Sequence, residues 1–336
     1  YTAISLSILK RDIEKGMEIL SDLLLNPTFP EDELKKKKEL IKASLRRAEE
    51  NPSFIAEREF IREVFGRHPY GRLVSGSIET IDNIKREDIV NFFRENYLPE
   101  KSILSIVGNI TSEELASLLQ KYLRLWRMGE GIQIREQITP AKSGEGIKKI
   151  IINKDITQAN IILGHMGISR DNPDYYAVTV MNYILGGGGF ASRLMKKIRD
   201  EMGLTYSIYS SFSVNKEIGM FKVEVQTKNE YAGIVIKEII NQIDRIRKEP
   251  VTDEELEGAK SFLTGSFPRR LETTTRISDF LANMEFYNLG DDYIKKYPDY
   301  INSVTKEDIL RVARKYLDPE NYVLVIVGDE KKITLE

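Results

Sequence analysis

The segment from Ile81 to Asn109 recurs without a gap 220 residues later, as Ile301 to Asp329. Ile81, Glu87, Asp88, Ile89, Arg94, Pro99, Glu100, Leu104, Ile106, Val107 and Gly108 all reappear as the same residue at the shifted position. A nearly equal offset of 222 places Glu33-Leu34 on Glu255-Leu256 and Lys38 on Lys260. Self-similarity of this kind means that one helix–strand unit is used twice. Extending the second offset sets Tyr1 opposite Val223, so the first copy lacks its front end. The organisation expected is a first repeat over 1–132, a linker rich in Pro, Ser and Gly over 133–146, and a second repeat over 147–336.

The pattern within each copy predicts an α+β fold. Tyr1 to Ile8 reads as a strand, and Met17, Leu20 and Leu24 mark a helix that stops before Pro27. Glu31 to Glu50 is a charged helix with Leu34, Leu40, Ile41 and Leu45 as its buried positions. Asn51-Pro52-Ser53 starts another, carrying Phe54, Ile61, Val64 and Phe65. Ile103 to Val107 is a strand, and Thr111 with Glu114 makes a capping box. In the second half, strands are expected near Lys148–Asn153, Asn160–Met166, Tyr206–Val214, Met220–Gln226 and Tyr322–Val327. A second capping box falls at Thr252 and Glu255.

Between those strands lies a corner with no counterpart in the first half. An apolar helix from Tyr176 to Leu185 runs into Gly186, Gly187, Gly188 and Gly189, which a regular helix does not carry. A second helix follows with Leu194, Met195 and Ile198 as its apolar stripe, and Gly203 stands where a left-handed cap is wanted. Arg199 and Tyr206 flank that cap. The glycines do not read as a phosphate cradle, because no Gly-Lys-Ser/Thr follows and no strand directly precedes them. With 50 basic and 52 acidic residues, no global field recruits nucleic acid. The chain has no cysteine for thiolate chemistry and only two histidines, His68 and His165, neither with a second histidine at ligand spacing. Both read as packing or capping residues. No apolar run is long enough to span a membrane, and the compartment is left open.

Read in order, several stretches resemble the insulinase, pitrilysin and mitochondrial-processing-peptidase family of zinc peptidases. They are Gly71 to Gly76 after His68-Pro69-Tyr70, Ser105-Ile106-Val107-Gly108-Asn109, the glycine corner, Gly265-Ser266-Phe267-Pro268, and Val325-Ile326-Val327-Gly328-Asp329. The resemblance implies a clamshell half of two homologous α/β units, each an antiparallel-rich sheet packed by helices. The family's His-x-x-Glu-His zinc motif belongs in the front of the first repeat and is absent here. Its third ligand, a carboxylate on a later helix, falls on Ser44 within Glu39-Leu40-Ile41-Lys42-Ala43-Ser44-Leu45.

The resemblance therefore implies no zinc in this chain, with zinc in a partner subunit. That partner is a zinc-bearing paralogue in a heterodimer, or a second copy in a homodimer, acting on an unstructured peptide. It assigns the family's Arg/Tyr pair to Arg199 and Tyr206, which bind the substrate backbone and steady the oxyanion, and sets Gly186 to Gly189 with Phe190 against the substrate. A guanidinium and a phenol suit this role because both groups ordinarily keep their protons near neutral pH. Two other readings stay open: an active metallopeptidase whose zinc-binding front end is missing from this chain, and a non-enzymatic scaffold subunit like the family's respiratory-complex members.

Overall fold

The computed structural model describes residues 1–126 and 144–335, so most of the expected 133–146 linker lies outside the described residues. Helices α1 (Ile13–Leu25), α2 (Glu31–Ala48), α3 (Pro52–Phe65), α4 (Ile78–Asn83), α5 (Arg86–Asn96) and α6 (Ser112–Tyr122) come first. Strands β1 (Lys148–Asn153) and β2 (Gln158–Met166) follow, then α7 (Tyr175–Asn182), β3 (Thr205–Ser213) and β4 (Met220–Lys228). The chain continues through α8 (Ala232–Lys248), α9 (Asp253–Ser266), α10 (Thr274–Phe286), α11 (Tyr293–Asn302), α12 (Lys306–Tyr316) and β5 (Val323–Gly328). Among the described residues no helix is long and apolar enough to cross a membrane.

The chain divides into two compact units. One gathers Tyr1–Ala43, Ser77–Glu136 and Phe267–Asp291; the other gathers Ser44–Gly76, Gln137–Ser266 and Asp292–Glu336. This division cuts across the expected repeats, since Ser44–Gly76, expected in the first repeat, folds into the second unit.

The second unit holds a mixed five-stranded sheet in the order β1-β5-β2-β4-β3. β1 runs parallel to β5, while β2 pairs antiparallel with both β5 and β4, and β3 closes on β4. Alternation sends Ile162, Val325 and Val327 to one face, where they meet Phe60, Val64 and Phe65 of α3. Ile161, Leu163, Val223, Leu324 and Ile326 go to the other face and are fully buried. A strand buried on both sides reads as the near-continuous apolar run seen in Leu324 to Val327.

Among its described residues the first unit has helices as its regular elements and no strand, and here two expectations fail. Neither Tyr1–Ile8 nor Ile103–Val107 forms a strand. A strand needs a neighbour for its N–H and C=O groups, and neither segment meets one among the described residues. Ile4, Leu6, Ile103 and Leu104 stay exposed. The Leu6 and Ile8 side chains do reach α1 at Gly16, where a Cβ would collide with Ile8. A third correction concerns α2, whose Leu40 is exposed while Leu45 is buried. Leu34, Ile41 and Leu45 share one helical stripe at intervals of seven and four, and Leu40 sits about 100° away from Ile41.

The repeated segment thus behaves differently in its two copies. Its helix forms in both, as α5 and as α12, with ends displaced by the same 220 residues as the sequence. Its strand forms only in the second, as β5. The second segment also carries a charge cluster. Asp174, just before α7 and nearly buried, accepts from Arg311 Nη1 at 2.7 Å, Lys315 Nζ at 2.9 Å and the Tyr316 hydroxyl at 2.7 Å. The matching positions on α5 are Asn91, Glu95 and Asn96, which offer no such set. Burial alone raises the Asp174 pKa, but the three donors outweigh it and hold the carboxyl at about 2.

Two measurements check this picture. Ile326→Ala removes a fully buried core side chain and is expected to cost about 2–5 kcal/mol in urea unfolding. Its sequence twin Ile106→Ala, at a position 37% exposed, is expected to cost under about 1 kcal/mol; equal costs would contradict the difference in burial. The Asp174 contribution is present above the unfolded carboxylate pKa near 3.8 and fades as pH falls through about 2. Asp174→Asn should therefore lose about 2 kcal/mol at pH 7, with the gap to the parent closing between about pH 4 and pH 2. A gap independent of pH would assign the loss to packing.

Candidate functional site

The site is built by α7 ending badly. Beyond Asn182 the helix widens into a five-residue π turn, Tyr183–Gly187, closed by the Gly188 N–H donating to the Tyr183 carbonyl at 2.8 Å. The Asn182 side chain clasps β3, donating to the Ser210 carbonyl at 3.2 Å and accepting from the Ser210 hydroxyl at 2.7 Å. Gly186 is buried against the same residue. A Cβ there would lie 2.5 Å from Ser210 Oγ, 2.6 Å from its backbone nitrogen and 2.8 Å from a Leu194 methyl. Of the four glycines, Gly186 therefore serves close packing and shows no surface to a ligand. Gly187, Gly188 and Gly189 reach the surface.

Gly189 turns the chain outward through φ +56° and starts a short 3-10 turn, Gly189–Ala191, tied by the Ser192 hydroxyl donating to the Gly189 carbonyl at 2.7 Å. Arg193 then anchors the corner. Its Nε and Nη2 fork onto the two oxygens of Glu255 at 2.6 and 2.8 Å. Burial raises the Glu255 pKa, but the Arg193 fork and the Thr252 amide bring it below the usual carboxylate value. Glu255 also completes the expected capping box of α9, accepting from the Thr252 N–H at 2.9 Å. The cap was legible in sequence; its second duty to Arg193 carried no spacing signal.

The next helix is a π turn as well, Met195–Glu201, with Leu194, Met195 and Ile198 buried on one side as expected. Gly203 caps it at φ +66°, its N–H donating to the Arg199 carbonyl at 3.0 Å and the Leu204 N–H to Ile198. β3 opens with an irregularity against β4 between Thr205 and Ile208, which leaves Tyr206 and Ser207 bulged outward.

This turn, cap and bulge gather three predicted side chains. The guanidinium carbon of Arg199 stands 4.7 Å from the Phe190 ring centre and 5.8 Å from that of Tyr206. Arg199 Nη1 donates to Asp200 at 3.0 Å. Phe190 is 67% and Tyr206 87% exposed. A cation that is about a third accessible, with two exposed rings beside it, can bind and orient a carbonyl or an anionic oxygen. It lies on an open face, away from the recess of about 520 Å³ lined by His68, His165 and Tyr316. Beside Tyr206 on the same strand, Tyr209 faces Glu224 across the sheet, and burial with that carboxylate pushes its hydroxyl pKa up.

The two histidines are occupied elsewhere. His68 is buried, accepts the Tyr70 N–H at Nδ1 and packs edge-on to the Tyr70 ring at 4.6 Å. His165 bonds the Met166 carbonyl through Nδ1 and accepts the Asp318 N–H at Nε2, and burial lowers its pKa. Among the described residues no three His, Asp or Glu side chains are placed to hold a metal ion.

The sequence profile described as "Peptidase M16 inactive domain" matches residues 83–263, over half the chain, and "Insulinase (Peptidase family M16)" matches residues 1–77. The chain belongs to the insulinase family of peptidases. An "uncharacterized zinc protease" of Rickettsia bellii is 28% identical over 92% of this chain and 73% of its own length. The Bacillus subtilis "uncharacterized zinc protease YmxG" is 24% identical over 98% of this chain and 78% of its own. A crystal structure titled as a peptidase M16 inactive domain from Pseudomonas fluorescens superposes with a TM-score of 0.85 at 26% identity, covering 97% of this chain and 77% of that one. A chain of "Complex III2" from Candida albicans shares the fold at TM-score 0.79 and 14% identity, covering 97% and 79%. The zinc that the resemblance implies does not fit the described residues here: no three His, Asp or Glu side chains come together to hold it, both histidines are engaged, and Ser44, where the resemblance sets a third ligand, is exposed and offers no carboxylate.

The corner makes its own prediction about stability. Gly189→Ala meets open space and suffers only the left-handed backbone cost of about 1–2 kcal/mol. Gly186→Ala must push back the β3 backbone and is expected to cost about 3 kcal/mol or more. Urea unfolding that reverses this order would show that α7 and β3 do not meet at Gly186.

Proposed function

We propose that this chain is the substrate-handling subunit of a two-chain zinc-dependent peptidase, with zinc carried by a homologous partner. The observation that carries the reading is a contrast within one chain. Arg199, Phe190 and Tyr206 converge on an open face, while no described residues could hold the metal. Zinc in the partner supplies Lewis-acid activation of the peptide bond.

Arg199 uses the guanidinium donors left free by Asp200 to hold a substrate carbonyl. An extended peptide is kept straight by main-chain bonds to a sheet edge. Tyr206, lifted clear by its bulge, donates its hydroxyl to the oxyanion as it forms. Both donors act without needing to change protonation state during the reaction.

The test is reconstitution with a zinc-bearing paralogue from the same source, followed by turnover of an unstructured quenched-fluorescence peptide. Tyr206→Phe is expected to lower kcat about a hundredfold to a thousandfold, the usual loss for one oxyanion donor. Arg199→Ala is expected to raise KM as well. Parent-like kinetics from both variants would refute the reading. Two observations favour other roles and fix the controls. The relatives' "zinc protease" names favour a metallopeptidase with its own zinc, which requires one tightly held zinc per chain in metal analysis. The fold shared with a Complex III2 chain favours a scaffold, which requires a stable complex that cleaves nothing.

A further inference from the structure

Arg199 carries a long side chain with four rotatable bonds, and its one hydrogen bond among the described residues goes to Asp200, itself half exposed. A single exposed ion pair with a sequence neighbour holds such a chain weakly, because the entropy of fixing it offsets most of the gain. Something else must aim the guanidinium. The Phe190 ring is the nearer of its two aromatic neighbours, at 4.7 Å against 5.8 Å for Tyr206.

Phenylalanine is among the residue types most often buried, yet Phe190 is 67% exposed. Local geometry holds it there. The φ +56° of Gly189 turns the chain outward, and the Ser192 hydroxyl, fully buried, ties the turn behind it. The four-glycine corner thus ends by presenting one aromatic ring to one cation.

We propose that Phe190 is the positioning residue of Arg199. Its ring serves as a platform that holds the guanidinium by cation–π attraction, with the donors not used by Asp200 turned to a peptide carbonyl. The inference rests on the reading that Arg199 binds substrate. It adds that the ring at position 190, rather than mere apolar bulk, sets the affinity of that contact.

The experiment compares Phe190→Leu, Phe190→Trp and Arg199→Ala in the full chain. The Arg199 Nε–H resonance is read by NMR, and KM and kcat are read with the zinc-bearing paralogue on the quenched-fluorescence peptide. Leu keeps apolar bulk and removes the ring. It is expected to shift the Nε–H resonance and raise KM about twofold to fivefold, the range of an exposed cation–π contact, at nearly unchanged kcat. Trp is expected to keep the ring-shifted resonance and a parent-like KM.

An unmoved resonance in Phe190→Leu overturns the proposal, as does a Trp variant that behaves like Leu. So does a parent-like KM in Phe190→Leu when Arg199→Ala raises it. If Arg199→Ala itself leaves KM unchanged, the substrate reading falls and this proposal with it. The resonance then still reports the ring contact, so the two failures are told apart.

Discussion

No side chain can stand where Gly186 meets Ser210, and the geometry of the site depends on that contact. The absence of a Cβ lets the end of α7 come against the β3 backbone, and the Asn182–Ser210 clasp fixes the approach with two hydrogen bonds. From there the chain has one short route: out through Gly189, back along the buried stripe of Leu194, Met195 and Ile198, and round the Gly203 cap into β3. Phe190, Arg199 and Tyr206 lie at successive exits from that route. The packing beneath them brings the three residues together, and the cation–π contact, worth about 0.5–1 kcal/mol when exposed, then only orients the Arg199 side chain.

Three arginines in the same unit show how surroundings divide the labour of one side chain. Arg193 is nearly buried and spends its fork on Glu255, joining the corner to α9. Arg170 is buried, with its guanidinium 3.8 Å from the Tyr175 ring and Nη2 donating to the Tyr293 hydroxyl. Arg199 is more exposed than either, held by one carboxylate and two open rings. Desolvated charges must be paired to be tolerated, so the first two are committed to the fold. Arg193 Nη1 is without a partner but buried, whereas the donors Arg199 keeps are within reach of another molecule.

Much of this was legible in the sequence because it depends on neighbours along the chain. The capping boxes at Thr111–Glu114 and Thr252–Glu255 form as their spacing requires, and Gly203 takes the positive φ expected of a cap. The apolar stripe over 194–198 is buried at its predicted positions. Less legible was the role of each glycine, because Gly186 and Gly189 look alike in a run of four, and only the backbone opposite distinguishes a packing contact from a turn. Arg193–Glu255 and Asn182–Ser210 were illegible for the same reason: the partners lie 62 and 28 residues apart.

The clearest division between sequence and tertiary structure lies in the repeat. Leu104, Ile106, Val107 and Gly108 are the same residues as Leu324, Ile326, Val327 and Gly328. Their β propensity is therefore shared, and the preceding helices, α5 and α12, occupy equivalent positions in both copies. Helices close their hydrogen bonds within their own sequence, so the sequence by itself determined them, along with their caps. A strand closes its hydrogen bonds only on other strands. The second copy lies between β1 and β2 and becomes the buried centre of a sheet. The first has no such flanks among the described residues, and there Leu104 and Ile106 form no strand and stay exposed.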